Sequence, residues 1–162
     1  MRKVVIIMPV YNSGKHLRAA LNSIVQNTEY PNWRLIIVCS KSNDGTDQLC
    51  DEFVEKYPEK IMCYHTEREG ITKAINFGIS HTEDEDIYLT QDDVIIPKLY
   101  GRDWLTILTE YAKLDNCGLV STIAAGGIDT MNCYIKDFHW IGTWSMYIPR
   151  QTINEVCFYE EK

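Results

Sequence analysis

Positive charge is scarce in this sequence: 16 Lys and Arg stand against 23 Asp and Glu, for a net charge of −7. Proteins that grip nucleic acid ordinarily carry a basic face, so no nucleic-acid partner is expected and an anionic ligand would need local cations. Long apolar runs are missing too. Met1-Arg2-Lys3-Val4 leads into a stretch far too short for a signal-peptide core or a membrane span, so no transmembrane segment is expected and the chain reads as soluble and cytoplasmic. The six cysteines (39, 50, 63, 117, 133 and 157) include no C-x-x-C spacing, and several sit in apolar runs. They read as buried free thiols of a reducing compartment rather than zinc ligands or a disulfide framework. Three phosphate-binding loops are absent as well: G-x-G-x-x-G after the first strand, G-x-x-x-x-G-K-[ST], and the G-x-G-T-x-R loop. A dinucleotide-binding Rossmann enzyme and a P-loop ATPase are thereby disfavoured. No internal repeat, linker or low-complexity segment interrupts the chain.

What is present is alternation. With 162 residues, 45% of them hydrophobic, the chain suits one domain able to bury a substantial core. Val4 to Met8 is a continuous β-branched run of the kind buried on both faces of a parallel sheet. From Ser13, an expected N-cap, Leu17, Ala20, Leu21, Ile24 and Val25 recur at helical spacing to about Gln26. Trp33 to Cys39 repeats the strand, and Ser42 to Thr46 forms a polar turn in which Asp44 or Thr46 caps a helix bearing Leu49, Phe53 and Tyr57. A third strand, Ile61 to His65, precedes a third helical stripe of Ile71, Ala74, Ile75, Gly78 and Ile79. Asp86 to Thr90 is the fourth strand. A helix carrying Trp104, Ile107, Leu108 and Tyr111 and a strand from Gly118 to Ile123 follow, and the aromatic-rich stretch from Cys133 to Pro149 has no clear period. Strands and helices alternating at this interval imply an α/β fold: an open, mainly parallel, doubly wound, Rossmann-like sheet with helices on both faces. Pro9, Cys39, His65 and Thr90, each ending a strand, should share one sheet edge, where such folds bind ligands.

At that edge Thr90-Gln91-Asp92-Asp93 places two adjacent carboxylates. A solvated acidic turn is the common meaning of such a pair. A hard divalent cation shared with substrate phosphates is the sharper one.

Four fragments stand in order on successive β-α junctions: Pro9-Val10-Tyr11-Asn12, Ser42-Asn43-Asp44-Gly45-Thr46, Gly70-x-x-x-Ala74-x-Asn76-x-Gly78, and Gln91-Asp92-Asp93. Together they resemble glycosyltransferase family 2, with the GT-A fold, over about residues 3 to 160. The resemblance implies a nucleoside-diphosphate sugar donor, most often a UDP-sugar, and a glycan, lipid or protein acceptor. It divides the chain into a nucleotide-binding half, 1–97, and an acceptor-side half, 98–162. It implies that Pro9, Val10, Tyr11, Ser40 and Gln91 line the nucleotide, with Val10 and Tyr11 against the base. By the same analogy Asp92 contacts ribose or metal, and Asp93 holds the Mn²⁺ or Mg²⁺ that bridges the diphosphate. Arg68 and Lys73 are candidates to offset diphosphate charge, the alternative being that both are merely solvated. Asn76 and Gly78 are expected to pack against the fourth strand. One departure stands out. The family's pair of acids at the end of strand two is replaced by Cys39 and Ser40, and a hydroxyl carries no charge, which leaves the nucleotide base open.

The implied reaction is metal-dependent transfer with inversion, an acceptor hydroxyl being deprotonated by a carboxylate base. The family's base follows a stretch resembled by Val156 to Glu161, so it is expected beyond Lys162, with Asp137 the best substitute within the chain. A nucleotide-sugar-binding module without transfer activity, alone or associated with a missing C-terminal part, is the alternative. A scaffold or receiver-type domain whose acids merely bind Mg²⁺ is the rival from another class.

Overall fold

The computed structural model describes residues 1–99, 101–114, 117–122, 131–132 and 145–155. Strands β1 (Val4–Val10), β2 (Trp33–Ser40), β3 (Ile61–Thr66) and β4 (Asp86–Thr90) alternate with helices α1 (Leu17–Asn27), α2 (Thr46–Lys56) and α3 (Ile71–Ser80). After helix α4 (Trp104–Tyr111) come β5 (Val120–Thr122), β6 (Met131–Asn132), β7 (Ser145–Ile148) and helix α5 (Arg150–Glu155). The sheet order is β3-β2-β1-β4-β7-β5-β6. The first four strands pair in parallel, whereas β7 lies antiparallel to both β4 and β5, and β6 antiparallel to β5. The expected open, mainly parallel sheet is therefore present in its first half, and its second half is antiparallel.

The period-2 pleat sorts the core. Val4, Ile6, Met8 and Val10 of β1 point to one face, where they join Leu17, Leu21 and Ile24 of α1, Leu49 and Phe53 of α2, and Trp104 and Leu108 of α4. Val5 and Ile7 point to the other, against Ala74, Ile75 and Ile79 of α3. Each fully buried aliphatic side chain contributes roughly 1.5–3 kcal/mol, and both faces of β1 and β2 collect that gain, which explains their continuous apolar runs.

Several local readings change. Ser13 does not cap α1: its Oγ donates to the Tyr11 carbonyl, while its own carbonyl accepts from His16 and Leu17 in a turn that leads into the helix. Ile71 opens α3 yet is 51% exposed, because it precedes the turn that meets the sheet. Tyr111 is exposed also, and Leu105 takes its place in the core. Gly78 packs against β1 and β2 rather than β4; a Cβ there would stand 2.6 Å from Ile7 Cγ2 and 3.4 Å from Val38 Cγ2. Glycine lets α3 lie this close.

At the far end of β4 from the two acids, Asp86 is 3% exposed and fully bonded. Its carboxylate accepts from Arg2 Nη1 (2.8 and 3.0 Å), Tyr147 Oη (2.6 Å) and the Arg150 amide (2.7 Å). Burial, then the hydrogen bond to Asp86, push the Tyr147 phenol up, so it remains a donor. This network pins β7 and the start of α5 to the opposite edge from the candidate site. No helix among the described residues is long and apolar enough to cross a membrane.

Candidate functional site

The parallel register aligns the carboxyl ends of the first strands, with Val10 opposite Cys39 and Cys39 opposite His65. Ile7 faces Leu89, which brings Thr90 to the same edge. The loops leaving that edge are bonded to one another. Asn12, held in the left-handed region at φ 49°, donates its amide to Ser42 Oγ (3.1 Å) and accepts from the Asn43 amide (3.1 Å). Ser42 Oγ in turn donates to the Ser40 carbonyl at 2.7 Å. Asp44 accepts from the Gly14 amide (3.0 Å), the Thr46 amide (3.2 Å) and Thr46 Oγ1 (2.6 Å), and the Ser13 amide donates to that same Thr46 hydroxyl (2.8 Å). Those hydrogen bonds, the one from Thr46 Oγ1 foremost, hold the Asp44 carboxyl below its usual range. Asp44 thus starts α2 and ties the β1 and β2 loops together, which is a structural role.

Above these loops, Tyr11 joins the other strand ends. Its ring is 38% exposed, and the Arg68 guanidinium lies over it, 4.3 Å from the centroid, a cation–π contact across the loop before α3. Its backbone N–H lies close enough to the Asp92 carboxylate to favour the charged form. Burial, and then the charge of Asp93, raise the Asp92 pKa, while its own amide, the Tyr11 amide and His16 oppose that rise. Asp93 is exposed beside it. The Gln91 carbonyl accepts from the Val94 amide (3.3 Å), closing the turn that presents both acids.

Of the residues singled out in the sequence, Tyr11, Arg68 and Asp92 come together, with Gln91 and Asp93 in the same turn as Asp92. Val10 is 2% exposed; its side chain belongs to the core, and Tyr11 is the member of that pair available to a ligand. Pro9 is half-buried at the end of β1. Ser40 and Lys73 line a neighbouring cavity of about 300 Å³ between the ends of β2 and β3 and the start of α3, with Thr66, Glu69, Gly70 and Asn76 among the other walls. There Lys73 pairs with Glu69 (3.3 Å), one turn earlier on an exposed surface. Asp137 lies outside the described residues. The Tyr11–Arg68 stack and the closeness of Tyr11 to Asp92 were not legible from local pattern, because they join positions far apart in sequence.

Asp92 and Asp93 offer the hard oxygen donors that Mn²⁺ and Mg²⁺ take, and a desolvated carboxylate beside a second one gains from a cation. Two carboxylates cover only part of the coordination of such an ion. Among the described residues, no cluster of three acidic, His or Cys side chains includes either of them. The donor set therefore fits a cation whose other ligands come from phosphate oxygens and water.

Comparisons with known proteins agree with this geometry. A 92-residue stretch is 34% identical to the minor teichoic acid biosynthesis protein GgaB of Bacillus subtilis (strain 168), covering 56% of this chain and 10% of that protein. The mannosyltransferase PcManGT of Pyrobaculum calidifontis, solved in complex with GDP-Man and Mn²⁺, superimposes with a TM-score of 0.66 at 26% identity, over 76% of this chain and 36% of its own. S. aureus TarS 1-349 in complex with UDP-GlcNAc shares the fold at a TM-score of 0.58 and 23% identity, over 79% of this chain and 37% of that one. The chain thus spans a minor part of each. The family described as glycosyl transferase family 2 matches residues 5–159, almost the whole sequence, and the chain belongs to that family.

Proposed function

We propose that this chain forms the donor-nucleotide part of a metal-dependent, inverting glycosyltransferase that uses a nucleoside-diphosphate sugar, with UDP as the nucleotide. The observation that carries the reading is the meeting of Tyr11, Arg68 and Asp92: an aromatic ring, a cation and a carboxylate from three separate β-α junctions. Base, diphosphate and metal each need one of these. The Tyr11 ring stacks on the base, and the guanidinium it now carries turns to the diphosphate, where Arg is suited to bidentate phosphate contact. Asp92 and Asp93 would hold Mn²⁺ or Mg²⁺. When bound, that ion supplies Lewis-acid stabilisation of the charge that builds on the leaving diphosphate. Ser40, through its carbonyl on Ser42 Oγ, helps fix the loop at the base's edge, and its hydroxyl can satisfy one polar group there.

The transfer itself forms a bond from the acceptor oxygen to the anomeric carbon as the bond from that carbon to the diphosphate oxygen breaks. Attack opposite the leaving group inverts the centre. A carboxylate takes the acceptor's proton, and in this reading that base lies outside the described residues. The nucleotide-binding half at 1–97 and the acceptor-side half at 98–162 belong to the same proposal.

The supporting experiment is calorimetric titration with UDP, GDP and ADP, each with and without Mn²⁺. UDP binding that needs the cation and exceeds the other two is expected. Binding of no nucleoside diphosphate in the presence of Mn²⁺ would overturn the reading, and GDP preference would overturn the choice of nucleotide.

A further inference from the structure

A second group of metal-ligating side chains lies on the other side of β2 from the cavity. Strand alternation sends Ser40 toward α3 and Cys39 toward α2. Register places His65 directly opposite Cys39, and Cys63, two residues earlier on β3, shares that face. Over them lies the first part of α2, where Asp47, Cys50 and Asp51 fall at i, i+3 and i+4 on one helix face.

The contacts are close. Cys39 Sγ lies 3.4 Å from Asp47 Oδ1, Cys63 Sγ 3.9 Å from His65 Nε2, and His65 Nε2 2.8 Å from Asp51 Oδ1. The Cys39, Cys50 and Cys63 thiols are close enough to shift one another's ionisation. Ligand atoms of Cys39, Asp47 and His65 all lie within 4.8 Å of one another, as do those of Asp51, Cys63 and His65. Tetrahedral zinc, with bonds of about 2.0–2.3 Å, sets its ligand atoms roughly 3.3–3.8 Å apart, so side-chain shifts that draw the two trios together around their shared His65 are needed to place them on one ion. The cysteine spacing in sequence shows nothing of this, because β pairing and a helix turn assemble the group.

We propose that Cys39, Cys63 and His65, completed by an α2 carboxylate from Asp47 or Asp51, form a Zn²⁺ site distinct from the Asp92–Asp93 pair. The donor types separate the two sites: thiolate and imidazole suit zinc, whereas carboxylate alone suits Mg²⁺ and Mn²⁺. Access is available, since His65 and Asp51 are exposed while Cys39 is buried. The neighbouring Cys39 and Cys50 thiols lower the Cys63 pKa. Its neighbours Cys39 and Cys63 push the Cys50 thiol up. Binding to two thiolates, one imidazole and one carboxylate would release the thiol protons of Cys39 and Cys63. Such a site would brace the nucleotide edge, because the Ser42 amide already donates to Asp47 Oδ1 (3.3 Å) and Ser42 bonds both Asn12 and Ser40.

The test is cobalt titration of the whole chain with its thiols kept reduced by a phosphine. One equivalent of Co²⁺ should produce a thiolate-to-cobalt charge-transfer band in the near ultraviolet, displaced by Zn²⁺. Cys63→Ser should remove about half of its intensity, and His65→Gln should weaken cobalt binding at least tenfold. His65 is exposed, so its variant is not expected to disturb the core, and far-ultraviolet dichroism checks both folds. Asp92→Asn/Asp93→Asn should keep the band in full, which separates this site from the nucleotide-linked one. No charge-transfer band on the reduced chain in excess Co²⁺, or a band unchanged in both Cys63→Ser and His65→Gln, would overturn the proposal.

Discussion

The Arg68 guanidinium sits 4.3 Å from the centroid of the Tyr11 ring, joining the loop that precedes α3 to the loop that follows β1. Because the Tyr11 amide also lies beside the Asp92 carboxylate, this one aromatic residue is a neighbour of three β-α junctions.

Arg68→Ala should therefore weaken UDP binding more than uridine binding. An exposed cation–π contact is worth about 0.5–1 kcal/mol, whereas hydrogen bonds to a charged phosphate are worth about 1.5–3 kcal/mol, so the expected loss for UDP is roughly tenfold or more. Parallel titrations with uridine and UDP read the difference. Equal losses for both ligands would place Arg68 on the base alone.

Gly78→Ala should destabilise the fold without touching the ligand. A methyl group 2.6 Å from Ile7 Cγ2 forces α3 away from β1 and β2, and overpacking of this kind costs about 1–3 kcal/mol. The urea midpoint should fall with little change in slope. An unchanged midpoint would mean that α3 can lift off the sheet at no cost.

Asp86→Asn should also lower stability, by roughly 1–3 kcal/mol, because Arg2, Tyr147 and Arg150 lose the carboxylate they share. Arg2 is partly exposed, and water replaces some of what it loses, which keeps the cost below that of a fully buried pair. Since this network lies at the opposite end of β4 from Asp92, nucleotide affinity of the folded variant should be unchanged in calorimetry.

Acidity should act on the site through Asp92. Its carboxyl, raised by burial and by Asp93, takes up a proton at a higher pH than an ordinary aspartate. As the pH falls through that raised value, cation-dependent nucleotide binding should be lost. The sign for stability is opposite. In the same window the native chain binds more protons than the unfolded one, so the contribution of Asp92 to stability rises as the pH falls. Titrations of Mn²⁺-dependent UDP binding against pH check the first effect, and in Asp92→Asn that pH dependence should flatten.

Much of the frame was legible because it rests on periodicity. Val4 to Met8 and Leu35 to Val38 are apolar on both faces, and only a strand covered by helices on both sides explains that. Local turn chemistry likewise marked Asp44, whose short carboxylate reaches the Thr46 amide of its own loop and the Gly14 amide of the β1 loop, although Gly45, not Asp44 or Thr46, takes the cap position of α2. Less visible were contacts set by register. No spacing rule pairs Cys39 with His65, or Tyr11 with Arg68, since each pair forms only when separate segments align at one edge. Ser13 misled for a related reason: its residue type suits a cap, but its hydroxyl is engaged by the Tyr11 carbonyl. The antiparallel second half of the sheet was beyond periodicity as well, because β5 and β7 are too short to show an alternation of their own.

The central claim, a cation-dependent nucleoside-diphosphate site at the ends of β1 and β4, is tested most directly by titrating UDP into the chain and into Asp93→Asn, in Mn²⁺ and in excess chelator. The account predicts binding to the chain in Mn²⁺, loss of that binding in chelator, and an affinity at least tenfold weaker for Asp93→Asn in Mn²⁺, since a neutral amide removes one charge from an oxygen-ligand site. Equal UDP affinity for both proteins, with and without the chelator, would contradict it.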